Sequence, residues 1–69
     1  MRKILYGVSS KYEFGGWSHR VYGPFKDQEQ ANKWLYTEEY DFREREIMGK
    51  TAAIRLAGKK NVEHAQEVA

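Results

Sequence analysis

The chain has 69 residues, no cysteine, and twelve basic against ten acidic side chains, for a net charge of +2. A domain of about 60 residues buries only roughly 60% of the surface its unfolded chain exposes, so this length allows one domain, residues 1–69, with one thin core. Without cysteine there is neither a disulfide framework nor a thiolate metal site; no apolar run approaches the roughly 20 residues of a membrane span, and the start MRKILYG lacks the apolar stretch of a signal peptide. A cytoplasmic protein with no membrane partner is expected.

Charge and aromatics are unevenly spread. Residues 1–26 carry Arg2, Lys3, Lys11, Arg20 and Lys26 against Glu13 alone, residues 27–46 hold most of the acid, and Lys50, Arg55, Lys59 and Lys60 form a second basic zone. Such polarity steers an anionic partner or orients docking on a protein. All five Tyr, three Phe and two Trp fall within the first 42 residues. So small a core cannot cover them all, and exposed rings beside Lys and Arg mark a binding face.

Residues 3–9, KILYGVS, alternate as a strand, with Ile4, Tyr6 and Val8 on one face. Gly15-Gly16 is a turn signal, and Arg20–Phe25 reads as a second strand, so the two form an antiparallel hairpin. Pro24 cannot donate to a ladder and belongs at a strand end or an edge. Asp27 is an N-cap with Gln30 at the capping-box position. Ala31, Trp34, Leu35 and Glu38 then share one face of a helix over about 28–38, which packs Trp34 and Leu35 on the hairpin.

Residues 40–50, YDFREREIMGK, carry two patterns. Phe42, Glu44, Glu46 and Met48 alternate with Arg43, Arg45 and Ile47, as in a third strand with cross-strand ion pairs. Glu39 with Arg43 and Asp41 with Arg45 are instead the i,i+4 pairs of a continuing helix. The strand is favoured, because two strands and one helix make a poor core. Thr51 then caps a final helix through Ala52, Ala53, Ile54, Leu56 and Ala57; Gly58 suits a helix C′ position, and Asn61 caps a further short turn. The fold class is therefore α+β, a small antiparallel sheet in β-β-α-β-α order packed on one or two helices.

The segment RVYGPFKDQEQANKWL, residues 20–35, is locally similar to the strand–Gly-Pro-Phe–helix unit of SPOR domains, through Val21, Gly23-Pro24-Phe25 and Ala31. The resemblance implies a strand-to-helix turn and, for that family, binding of septal peptidoglycan. The family's first strand–helix half has no counterpart in this chain, so the function is not carried over.

No motif carries chemistry. His19 and His64 lack metal-ligand spacing, Ser18 and His19 are adjacent without forming a nucleophile–base pair, and Gly7 and Gly15-Gly16 lack the Lys and helix of a phosphate loop. Neither an enzyme, a cofactor nor a metal is expected. Exposed Trp, Tyr and Arg are the residue types of interface hot spots. The reading is a non-catalytic binding protein that docks on a host protein or nucleoprotein complex and modulates, in the inhibitory direction, its activity. Its size and make-up parallel small phage and mobile-element accessory or anti-defence proteins. The expected site is the hairpin tip, Lys11, Tyr12, Phe14, Trp17, His19 and Arg20, with Trp17 as anchor, because a core Trp seldom sits among glycines.

The alternative is a nucleic-acid binder. Tyr6, Tyr12, Trp17 and Tyr22 would stack bases while Arg2, Lys3, Lys11 and Arg20 meet phosphates; a second route treats TAAIRLAGKKNVEHAQ as a helix-turn-helix-like segment. An exposed strand edge also offers self-pairing into a homodimer.

Overall fold

The computed structural model describes residues 4–36 and 44–67. Strand β1 is Leu5–Glu13, β2 Gly16–Phe25, helix α1 Gln28–Leu35, β3 Glu44–Gly49, α2 Lys50–Ala57 and α3 Lys59–Glu63. The fold is α+β. The three strands form one antiparallel sheet in the order β2-β1-β3, with α1 on one face and α2 and α3 on the other.

The hairpin is closed by Phe14 and Gly15, both with positive φ (53° and 79°), between paired Glu13 and Gly16. Such two-residue turns match the right-handed twist of the strands they join. The turn therefore sits one residue earlier than the Gly15-Gly16 expectation, and Gly16 opens β2. Between the pairs Leu5–Phe25 and Gly7–Tyr22, β2 carries one extra residue, a bulge. The bulge switches the side-chain parity of β2, so Tyr22 and Phe25 reach the same face.

That face holds Phe25, Ala31 and Trp34, with Leu5, Tyr22, Leu35 and Ile47 packed against them. Trp34 lies flat on Gly7, and a Cβ added there would stand 2.5 Å from ring atom Cζ3. Tyr22 and Phe25 flank the indole at 5.4 and 5.7 Å between centroids, and the Arg45 guanidinium sits 5.0 Å above it while donating to the Trp34 carbonyl at 2.7 Å. The opposite face buries Tyr6, Val8, Val21, Ala53 and Val62 beneath α2 and α3. Past α3 the chain returns along β2: Gly23 donates to the Gln66 carbonyl and Gln66 to that of Val21, both at 2.9 Å. This covers part of one sheet edge.

Asp27 caps α1 as its sequence context demands. Its Oδ1 accepts from the Gln30 amide at 2.8 Å, and Gln30 Oε1 accepts from the Lys26 amide at 2.6 Å. Ala31 and Trp34 are buried and Leu35 half-buried, as the spacing requires; Glu38 and the end of the expected 28–38 helix lie outside the described residues. Two capping expectations are corrected. Helix α2 starts at Lys50, with Gly49 rather than Thr51 at its N-cap, because β3 runs straight into the helix. Asn61 does not cap α3; it lies within α3, and its Nδ2 donates back to the Ala57 carbonyl at 2.6 Å. The helix breaks at Gly58, at φ 95°, as expected. Strand β3 occupies the second half of the 40–50 segment, while Tyr40, Phe42 and the pairs Glu39–Arg43 and Asp41–Arg45 fall wholly or partly outside the described residues.

Candidate functional site

The two helical layers cover the sheet near the start of β1, so the hairpin's far half projects beyond them. Along that half, the register decides which side chains share a face. Tyr12 is opposite Trp17, Ser10 is flanked by His19 and Glu44, and Val8 by Val21 and Glu46. All of these face the α2/α3 side. Lys11, Glu13, Ser18 and Arg20 alternate to the other side.

The six expected site residues therefore do not form one patch. Tyr12, Trp17 and His19 are brought together. Lys11 and Arg20 belong to the opposite face, and Lys11 pairs there with Glu13 at 3.6 Å. Phe14 stands at the apex. The six are neighbours in the chain, but a strand sends successive side chains to opposite sides, and this alternation divides them.

Phe14 is 102% exposed and the only non-glycine with positive φ among the described residues. Below it, Tyr12 (60% exposed) and Trp17 (54%) meet edge to face, 5.4 Å between centroids at 65°. Trp17 then forms one wall of an open cleft of about 390 Å³, across from Glu44 and Glu46 on β3, with Leu56 of α2 closing one end. The floor is Val8 and Ser10, both buried. Arg45 also lines the cleft, but its guanidinium lies over Trp34 on the opposite face. Glu44, Glu46 and Leu56 were missed as site residues. Alternation had placed the two glutamates in phase on one strand, but only the antiparallel pairing of β3 with β1 sets them across from Trp17.

At the floor, Ser10 Oγ and His19 Nδ1 are 2.7 Å apart. His19 thus takes Ser10 across the ladder as its partner, while adjacent Ser18 points away, its Oγ 3.5 Å from Glu13 Oε1. A serine–histidine contact can activate a nucleophile. Here Ser10 lies in the central strand, paired with β2 on one side and β3 on the other. The contact gives each of these two part-buried polar groups a hydrogen-bond partner. Among the described residues no cluster of His, Asp and Glu is placed to hold a metal ion, and no helix is long and apolar enough to cross a membrane.

No protein-family model matches the chain, and neither curated proteins nor solved structures match it.

The rings proposed as a base-stacking platform are dispersed. Tyr6 is buried under α2 and α3, and Tyr22 lies on the other face against Trp34, which leaves Tyr12 and Trp17 as the exposed pair. In the segment read as helix-turn-helix-like, Ala53 of α2 and Val62 of α3 are buried against the sheet, and α3 has five residues.

Proposed function

We propose that the protein is a non-catalytic docking module that uses the hairpin tip and the cleft beneath it, Phe14, Tyr12, Trp17, His19 and Leu56, to engage a protein or a nucleoprotein complex and inhibit its activity. The observation that carries this reading is Phe14. An L-residue in the left-handed region costs about 1–2 kcal/mol, and Asn or Gly is the usual occupant of this turn position. Phe14 accepts that strain while burying nothing within its own chain. Strain that serves no internal packing is characteristic of binding sites, where an apolar ring is held ready for a partner. Tyr12, Trp17 and Leu56 continue the apolar surface down one side, which is the make-up of an interface core rather than of an ordinary solvated face.

A protein surface suits this face better than a phosphate backbone. The rings lie across from Glu44 and Glu46, while Lys11 and Arg20 are on the far side. In this reading an 8.1 kDa domain inhibits by occupying a surface that another component of the assembly needs. The test is affinity capture from a cytosolic lysate, half of it treated with nuclease, using the wild-type chain and Phe14→Asn. A discrete protein that survives nuclease and is lost with Phe14→Asn supports the reading. Captured material that disappears on nuclease treatment, with binding that falls steeply with salt, replaces it with nucleic-acid binding.

A further inference from the structure

The cleft differs in chemistry from the tip above it. Its β3 wall carries two carboxylates, Glu44 and Glu46, two positions apart on one strand and so about 7 Å from each other on the same face. Both are exposed, and neither has an ion-pair or hydrogen-bond partner among the described residues. Two basic residues of the neighbouring strand positions are engaged on the other face: Lys11 pairs with Glu13, and Arg45 reaches from β3 to Trp34. Among the described residues, Glu44 and Glu46 thus form an anionic wall opposite an exposed indole.

We infer that this cleft receives an arginine side chain of the partner, its guanidinium stacked on Trp17 and its N–H groups donated to Glu44 and Glu46. This rests on the docking reading above and names the chemistry of what docks. Arginine fits for three reasons. Its planar cation stacks on an aromatic face, where the ring quadrupole attracts it. Its fork of donors matches carboxylate oxygens bidentately, which the point charge of lysine does not. Its aliphatic stem suits the apolar part of the cleft, Val8 and Leu56. The buried floor excludes water from one side of the cation, which strengthens its attraction to the carboxylates relative to bulk solvent. Ser10 and His19 hydrogen-bond one another at that floor, 2.7 Å apart. The size agrees as well: about 390 Å³ lies at the small end of ligand clefts, enough for one long side chain with its adjoining backbone.

The test titrates the full-length ¹⁵N-labelled protein with N-acetyl-arginine methylamide, and in parallel with the citrulline analogue, which has nearly the same shape and no charge. Saturable shifts are expected at the Trp17 indole N–H and the amides of Ser10, His19, Glu44 and Glu46. Arginine should bind at least about fivefold tighter than citrulline, the size of an exposed cation–π contact with an ion pair. That preference should vanish in Glu44→Gln/Glu46→Gln, whose substitutions are at exposed positions, and weaken in Trp17→Leu. Equal binding of the two probes, shifts that map elsewhere, or a preference unchanged in the glutamine variant would each overturn the inference. Partner capture separates this from the docking reading. Capture lost in both Phe14→Asn and Glu44→Gln/Glu46→Gln supports both. Capture lost only in Phe14→Asn overturns the arginine inference and keeps the docking surface. Capture that survives every one of these variants overturns the docking surface itself.

Discussion

Replacing Phe14 by Asn should make the domain more stable while removing its docking anchor, and the size of the gain can be worked from two observations. The ring is 102% exposed, so its removal returns no buried area to water and the hydrophobic term, about 25 cal/mol per Å², is near zero. The backbone at φ 53° costs an ordinary L-residue about 1–2 kcal/mol, and Asn followed by Gly is a preferred pair for a two-residue hairpin turn. Recovering most of that strain amounts to about 1 kcal/mol. In a domain of this size the melting temperature should rise by about 4–8 °C. Thermal unfolding followed by circular dichroism gives the shift, and urea unfolding should show a higher midpoint with an unchanged m value. Phe14→Gly should gain less, because glycine gives back part of the benefit as unfolded-state entropy. A melting temperature that stays level or falls in Phe14→Asn would refute the reasoning, because it would mean that the ring packs on something or that the turn is unstrained. Paired with loss of partner capture, a gain in stability separates a functional role for Phe14 from a structural one.

Other perturbations test the fold and the site. Gly7→Ala places a Cβ 2.5 Å from Trp34 Cζ3 and 2.7 Å from Cε3 and Cη2, with the indole held between Tyr22 and Phe25, so it should cost about 1–3 kcal/mol, read as a lower urea midpoint. Trp34→Ala should cost about 3–5 kcal/mol, a large part of the stability of so small a domain, whereas Trp17→Ala, half-exposed, should lower the melting temperature by only a few degrees and abolish capture. Asp27→Ala removes the acceptor of the Gln30 amide and should destabilise by about 1 kcal/mol, with Asp27→Asn restoring most of it in the same melt.

How much was legible along the chain depends on the range of the interaction concerned. The α1 start at Gln28, the hairpin and the break at Gly58 were readable, since each is set by groups within four residues of one another, whereas the strand in the 40–50 segment was favoured only because the core needed a third strand. The one-residue error at the turn and the misplaced cap at Thr51 share a cause. Phe14 takes a conformation its residue type disfavours, and β3 passes into α2 without an intervening loop, so local preference was overruled by what the sheet requires. Of the site, Tyr12, Phe14, Trp17 and His19 could be named, because rings set among glycines and polar residues stand out in composition. Glu44, Glu46 and Leu56 could not, since nothing near them in the chain refers to the hairpin.

The sequence by itself determined most of the elements and their kinds, because caps, turn residues and the period of apolar positions act locally. Two matters were left to the tertiary structure. The β2 bulge decided that Tyr22 and Phe25 enclose Trp34 together, which strict alternation forbids. The pairing of β3 beside β1 rather than β2 decided which side chains line the cleft. Each depends on contacts between residues distant in the chain, and their free energy comes from burying surface on both sides of one sheet at once, a quantity that no local stretch of sequence contains.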